Sequence, residues 1–579
     1  MTNFDLKKID IKNIFVSDKN TLFIFFFFII SFVLKTILFS SSIATENYGL
    51  TTQGVFLYVG IGFFCGSFSL LSKNKYGLFV FSLLYDIWLL SNLWYFRSYN
   101  DILTHWNLQC VRNLDGMWSS IFTYMQASDF IYIGLTITLL VLCIFFSPKD
   151  SHKKGFFVLA GISVIFCIVM LRAQVIDLKN KHYVVEKLTF NIFDSKYDCP
   201  CVRNAFIGNG YYATYFSPII HFLNQVQKTF NDKKSEISFS EEEINKYIQK
   251  TDCSQESKRN VIIVFFESLE YWAVDQSIFG EEITPNINKL IKSENSLICR
   301  KMIDQVNGGH SSDAQLLINT GLCPIIEGAV ANRFYMNKFP SLSEASKHKN
   351  LKTFIPTPAY IWNQDKTKKA FGYNDLLAKE MNDTDLFNNI VAYTDSVKDG
   401  YCVQTATMAS HVPFHKYAND SHLKINDEEF PISLGDYMKS VNFTDSAMAK
   451  LITKIMNDKE YENTILVIMG DHSVFSASSR NDYLEYLQEK EININIKDEY
   501  IPCIIYSKSI KKHKEISENC YQMDSYTTIL NMISDCYYWK GFGIDLLNND
   551  SLKREYSEED AIAASDKMIN GNFFSNLKK

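Results

Sequence analysis

Asn260-Val-Ile-Ile-Val-Phe-Phe-Glu267-Ser268 decides the fold of this chain. Its centre is a continuous apolar run of strand length, and the run stops on a carboxylate. A strand that is apolar at every position is buried on both faces, as in a parallel sheet covered by helices. Ile465-Leu-Val-Ile-Met469 repeats the pattern and leads into Gly470-Asp471-His472, and Ile501–Tyr506 is a third run. Helical patterns lie between them at Ile287–Ile291 and Phe443–Met456. The expected fold class is therefore α/β, with a mainly parallel sheet sandwiched by helices. In such sheets ligands bind at the carboxyl ends of strands. Glu267 and the Asp471-His472 pair are expected at that edge from two independent strands.

Two carboxylates and an imidazole suit a divalent ion such as Mn²⁺, Mg²⁺ or Zn²⁺, with Glu267, Asp471 and His472 as the ligands. Each residue alone has a plainer reading, since a Glu after a strand also caps helices or joins salt bridges. Asn307-Gly-Gly-His-Ser-Ser-Asp-Ala314 adds a hydroxyl to the set. Asp313-Ala-Gln-Leu-Leu-Ile318 has a helical pattern, which puts Ser311 near a helix N-terminus, where free amides and the dipole favour an anion. A metal above that hydroxyl lowers its pKa and makes it a nucleophile. Ser312 is the alternative nucleophile, and a Ser N-cap after a glycine turn is the plain alternative.

Five apolar stretches precede this region: about Thr21–Ser40, Gly54–Leu71, Tyr76–Phe96, Ile131–Ser147 and Gly155–Leu171. Each approaches the ~20 residues that an α-helix needs to cross a bilayer, and each is apolar on all faces rather than amphipathic. Lys7, Lys8, Lys12, Lys19, Lys73, Lys75, Lys149, Lys153 and Lys154 lie on one side, against Arg97 and Arg112 on the other. That bias puts the N-terminus inside and, after five crossings, everything past about residue 175 outside. The expected domains are a transmembrane bundle over 1–174, a juxtamembrane linker over 175–258 and an extracytoplasmic domain over 259–579. Lys35 and Asp86 fall within spans, as an intramembrane functional group, a pair within the bundle, or a snorkelling lysine. The aromatic outer loop 97–128, with Trp106 and Trp118, suits the membrane interface.

The net charge of −6 and the absence of any basic run exclude a nucleic-acid footprint. The thirteen cysteines form no metal framework; Cys199-Pro-Cys201 is the closest pair. Outside a membrane, disulfides and buried free thiols are both open for the nine cysteines from Cys199 to Cys536.

Taken together, these motifs resemble the lipoteichoic acid synthase type of phosphoglycerol transferase, in the alkaline phosphatase and sulfatase superfamily. The resemblance runs over nearly the whole chain. Asn260–Ser268 matches the family's strand ending in a metal-binding Glu, Thr284-Pro-Asn-Ile-Asn-Lys-Leu290 a helix start, and Gly470-Asp471-His472 the remaining ligands. Ser311-Ser-Asp313 falls on the nucleophile motif, with Ser311 also at the metal. Trp362-Asn363 matches a substrate-pocket pair, and His411-Val-Pro-Phe414 a pocket His. Gln522–Thr527 and Phe542-Gly-Ile-Asp-Leu546 resemble a C-terminal strand and closing loop. Two departures stand out: Gln364 replaces an Arg that clamps the substrate phosphate, and Ile355-Pro-Thr-Pro-Ala359 replaces a segment carrying a second pocket His. Lys366 or Arg333 is then a candidate for supplying charge.

The resemblance implies a bacterial, multi-pass membrane enzyme with a divalent cofactor, Mn²⁺ before Mg²⁺ or Zn²⁺. Ser311 attacks a phospholipid donor and expels diacylglycerol, and an envelope glycan or glycolipid acceptor, or water, resolves the seryl-phosphoester. His411 contacts the phosphate or exchanges a proton, and Trp362, Asn363, Gln364 and His411 bind substrate. Phosphoethanolamine transfer is the nearest rival, followed by phosphodiester or sulfate ester hydrolysis. Ser311-Ser-Asp-Ala-Gln lacks the Pro and Arg of formylglycine sulfatases. A non-catalytic envelope module is the rival from another class.

Overall fold

The structure is a computed structural model. It describes residues 19–43, 52–71, 76–99, 103, 113, 122, 124–146, 153–180, 237–248, 259–326, 328–425, 428–475, 477–534, 537–549, 551–575 and 577. Two compact units emerge, one of residues 1–105 and 124–233, the other of 106–123 and 234–579.

In the first unit, apolar helices run Lys19–Ser42, Thr52–Ser67, Tyr76–Tyr99, Phe130–Phe145 and Lys153–Asn180. Three apolar segments, Lys19–Ser42, Tyr76–Arg97 and Ala127–Phe145, are long and apolar enough to cross a membrane, and Val55–Ser67 and Gly155–Met170 are shorter apolar helices. Small residues let the helices approach: a Cβ on Gly60 would lie 2.8 Å from Cys167 Sγ, and one on Gly66 3.0 Å from Phe25. Lys35 does not snorkel. Its Nζ lies 2.6 Å from Asp86 Oδ1 and also donates to Ser82 and Thr136 Oγ1, so one buried pair ties three helices together.

The second unit is built on one eight-stranded sheet: β1 (Asn260–Phe266), β4 (Ser296–Ile303), β5 (Asn350–Ile355), β6 (Asp375–Ala378), β7 (Tyr401–Ala406), β8 (Thr464–Gly470), β9 (Tyr500–Tyr506) and β10 (Lys514–Tyr521). The short strands β2 (Ser277–Ile278) and β3 (Glu281–Glu282) pair with each other. The sheet order is β10-β4-β9-β8-β1-β7-β5-β6. It is a mixed sheet: β8, β1, β7, β5 and β6 run parallel, whereas β9 is antiparallel to both its neighbours. The Ile501–Tyr506 run is thus a strand of reversed direction, which its composition does not reveal.

Alternation explains the apolar run in β1. Val261, Ile263 and Phe265 enter one core, beneath helices Ser311–Thr320 and Gln522–Ile533, while Ile262, Val264 and Phe266 enter the other, beneath Asp383–Val397 and Ile432–Asn457. Gln522–Thr527 is helical rather than a strand. Asp524 Oδ2 accepts from the Tyr521 amide at 2.8 Å, a capping contact that ends β10 and starts the helix. Most of the expected linker 175–258 lies outside the described residues, as do Cys199 and Cys201. The described cysteines of the sheet unit, Cys299, Cys323, Cys402, Cys503 and Cys520, are free.

Candidate active site

Three adjacent parallel strands end at the site. β1 delivers Glu267, β8 delivers Asp471 and His472, and β7 runs into Thr407 and the loop carrying His411. Gly470 is required at the end of β8, because a Cβ there would sit 2.2 Å from the Leu269 carbonyl. This close crossing brings the two ligand-bearing loops together. One ligand atom from each of Glu267, Asp471 and His472 lies within 4.8 Å of the others. His472 Nε2 is 3.7 Å from both Glu267 Oε1 and Asp471 Oδ2.

The donor set fits a hard divalent cation. Asp471 Oδ2 is fully buried without a hydrogen-bond partner, while Oδ1 accepts from the Ser268 and His472 amides at 2.7 and 2.9 Å. His472 Nδ1 lies 2.9 Å from the Ser473 carbonyl. Donation there directs Nε2 at the carboxylates. Burial, joined by the charge of Glu267, pushes the Asp471 carboxyl up to about 7. Burial pulls His472 down, but the fields of Asp471 and Glu267 outweigh it and raise the imidazole to about 9. Such a site holds a proton in place of a cation, and a cation displaces it.

Ser311 is the first residue of the ten-residue helix Ser311–Thr320, and its Oγ lies 3.3 Å from Glu267 Oε2. Ser312 Oγ instead donates to the Gly309 carbonyl at 2.7 Å, so the geometry favours Ser311 over its neighbour. Asp313 holds the preceding turn, accepting from the Asn307 and Gly309 amides at 3.0 and 2.9 Å. A Cβ on Gly309 would strike Asp313 Oδ1 at 2.2 Å, which accounts for that glycine. His310 has a left-handed φ of 42° and a ring centroid 5.6 Å from that of His472. Burial first, then the neighbouring His472 and His411, pushes its imidazole down to about 3.

His411 Nδ1 lies 2.8 Å from the Val412 carbonyl, ahead of a cis Val412–Pro413 bond. Burial lowers its pKa, and His472 and Asp471 are near enough to act on it. Its loop is held twice: Ser410 Oγ donates to the Glu267 carbonyl at 2.5 Å, and Asp383 accepts from the Met408 and Ala409 amides.

The Trp362 side is built differently. Trp362 and Asn363 both have left-handed φ, 49° and 48°. Asn363 Nδ2 donates to the Ala331 carbonyl and Asn332 Oδ1, each at 3.0 Å. Gln364 is buried and its Nε2 lies 3.0 Å from Gln315 Oε1, one helical turn beyond Ser311. Gln364, an expected substrate contact, thus packs through its Nε2 on the helix that begins at Ser311, while its Oε1 has no hydrogen-bond partner. Lys366 Nζ sits 4.6 Å from the Tyr335 ring centroid and the Arg333 guanidinium carbon 5.0 Å from that of Phe334.

Several supporting residues escape a sequence reading. Glu270 is fully buried: Oε1 accepts from the Val474 amide at 2.8 Å and Oε2 from Trp272 Nε1 at 2.6 Å, while Arg480 clasps both oxygens. It locks the loop after β1 to the loop after β8. Asp304, just past β4, accepts from the Ser473 amide and hydroxyl at 2.7 and 2.8 Å, and Gln522 Nε2 donates to the Asp471 carbonyl at 2.7 Å. Asp304 obeys the same strand-end rule as Glu267, but Arg300 and Lys301 break the apolar pattern of β4. Arg480 carries no sequence signal.

A family model described as sulfatase matches residues 259–534, and one described as lipoteichoic acid synthase N-terminal domain matches residues 6–197. The chain is 25% identical over 566 residues to lipoteichoic acid synthase 2 of Bacillus subtilis, covering 90% of this chain and 83% of that one. It is 23% identical over 533 residues to a lipoteichoic acid synthase of Staphylococcus aureus, covering 87% and 80%. A solved lipoteichoic acid synthase of Listeria monocytogenes is 18% identical with a TM-score of 0.47, covering 58% of this chain and 99% of that one.

Proposed function

Because the chain is a lipoteichoic acid synthase-like member of the alkaline phosphatase and sulfatase superfamily, we propose that it transfers a phosphoglycerol-type head group from a membrane phospholipid to an envelope glycan or glycolipid. The observation that carries this reading is the meeting of Glu267, Asp471 and His472 within 4.8 Å, with Ser311 Oγ 3.3 Å from Glu267. The apolar N-terminal helices support a membrane protein, with five crossings, the N-terminus in the cytoplasm and the sheet domain outside. The reading keeps the division at 1–174, 175–258 and 259–579, except that Asn113 groups with the sheet unit.

Glu267, Asp471 and His472, with the Ser311 hydroxyl, would hold a divalent ion, Mn²⁺ by preference. Such an ion supplies Lewis acidity to phosphoryl oxygens and lowers the hydroxyl pKa. In the first step Ser311 Oγ loses its proton, hydrogen-bonded towards Glu267 Oε2, and forms a bond to phosphorus. The bond from phosphorus to the diacylglycerol oxygen breaks, and that oxygen takes up a proton. In the second step an acceptor hydroxyl attacks phosphorus, its proton passes to a base, and Ser311 leaves and is reprotonated. His411 suits the base role: with Nδ1 directed at the Val412 carbonyl, its neutral ring offers Nε2 as an acceptor. Tethering at the membrane raises the effective concentration of lipid donor.

Phosphoethanolamine transfer is the second reading, favoured by Gln364 standing where the family has an Arg. The test is mass spectrometry of the full-length protein in detergent with Mn²⁺ and either phosphatidylglycerol or phosphatidylethanolamine. A phosphoglycerol adduct on the Ser311 peptide, absent in Ser311→Ala, is expected. A phosphoethanolamine adduct would install the second reading. Bound metal with neither adduct nor lipid turnover would overturn both.

A further inference from the structure

The Trp362 turn is pinned by a residue far away in the chain. The Trp362 amide donates to Asn113 Oδ1 at 3.1 Å across 249 positions of sequence. Asn113 lies between the apolar helices Tyr76–Tyr99 and Phe130–Phe145, yet it groups with the sheet unit. Asn113, from the segment 97–128 expected at the membrane interface, thus meets Trp362, one of the expected substrate-binding residues.

The orientation of the Asn113 amide is settled by chemistry. A backbone N–H is only a donor, so the atom facing Trp362 must be the oxygen. Nδ2 is then the other end of the group, and it is buried without a hydrogen-bond partner. Buried amide N–H groups ordinarily have partners, and an orphan marks a missing ligand or a structural water. This orphan sits beside two consecutive non-glycine residues in left-handed conformation. Strain of that kind persists only where surrounding contacts impose it, and it concentrates at ligand sites. The same turn continues into Gln364, whose contact with Gln315 lies one turn along the helix from Ser311.

We infer that Asn113 is a substrate-binding residue of this site: Oδ1 holds the Trp362 turn, and Nδ2 donates to an oxygen of the glycerophosphoryl head group. A neutral donor here would partly replace the charge lost with Gln364. The inference rests on the proposed phosphoglycerol transfer and names the group that reads its donor.

The substitution Asn113→Asp separates a binding role from a structural one. It keeps an oxygen to accept from the Trp362 amide but replaces the Nδ2 donor with a second acceptor, which repels an anionic head group. Asn113→Ala removes both contacts. The measurement is the rate of Ser311 labelling by phosphatidylglycerol in nanodiscs, as a function of lipid content, on the full-length Mn²⁺-loaded protein. A rise of roughly tenfold or more in half-saturating lipid is expected for Asn113→Asp, with the maximal rate per Mn²⁺-loaded, folded protein unchanged. If Asn113→Asp behaves as the unsubstituted protein while Asn113→Ala is impaired, Asn113 is only a structural pin and the inference is overturned. If neither substitution alters labelling, it is overturned as well. Failure of the unsubstituted protein to be labelled by phosphatidylglycerol overturns the transfer reading itself, and the inference with it.

Discussion

Glu267, Asp471 and His472 stand at the ends of adjacent parallel strands, whereas Trp362 and Asn363 form a left-handed turn between β5 and β6 and Gln364 opens the helix that follows. On the first side, backbone amides, the Ser473 carbonyl, Asp304, Gln522 and the Glu270–Arg480 pair orient the ligands or their loops. Asp471 Oδ2 is left as a buried orphan, 3.7 Å from His472 Nε2. On the second side, each conformation depends on partners remote in sequence, and Gln364 Oε1 and Asn113 Nδ2 remain orphaned. A sheet fixes its strand ends through its own ladder. A strained turn has no such ladder and needs an external partner at each residue. The Glu267–Asp471–His472 cluster is therefore held by the fold itself, and the Trp362–Gln364 segment by side chains distant in sequence.

The most severe break of that contrast is Asp471→Asn. Losing a carboxylate ligand should remove bound Mn²⁺ and lower lipid turnover by roughly three orders of magnitude or more, measured by metal content and product formation. Retained metal with normal turnover would mean that the cluster is not the metal site.

Arg480→Met comes next. It strands Glu270 as an unpaired buried charge, which costs about 3–5 kcal/mol in unfolding free energy, read by denaturation. Metal affinity should also fall about 10–100-fold through the loosened 471–475 loop, and Glu270→Gln added to Arg480→Met should recover part of the stability. A change in stability without any change in metal affinity would confine the pair to structure.

The other side should respond more gently. Gln364→Arg, which places a guanidinium where the resemblance expects one, should not improve donor use. The guanidinium would enter a packed space against Gln315, costing about 1–3 kcal/mol and lowering the thermal midpoint. Faster turnover by this variant would show that the turn opens into a family-like clamp. Gln364→Leu should be the mildest, removing the amide contact to Gln315 for about 0.5–1.5 kcal/mol, with turnover changed only a few fold.

The contrast also governs what a reader of the chain can extract. β1 and β8 are legible because Val261–Phe266 and Ile465–Met469 are unbroken apolar runs, and Glu267 and Asp471 follow closely. β7, which carries the chain to His411, is not legible by pattern, since Gln404 and Thr405 interrupt it. Gln404 is tolerated there because Asn319 donates to its Oε1 and its Nε2 donates to Thr353, each partner on another element. Gln522–Thr527 reads as a strand by likeness but folds as a helix, because Asp524 caps its start.

By itself the sequence determined the apolar helices, the α/β class and the meeting of Glu267, Asp471 and His472 beside Ser311. These follow from hydrophobic burial, which is written in short runs of the chain, and from the rule that the ends of parallel strands share one edge whatever their separation in sequence. Only the tertiary structure decided the antiparallel course of β9, the burial of Gln364 against Gln315, the Glu270–Arg480 lock and the reach of Asn113 to Trp362. Each of these is a polar contact or a strand direction set by partners tens to hundreds of residues away. A hydrogen bond depends on where two atoms meet, and local composition does not carry that information.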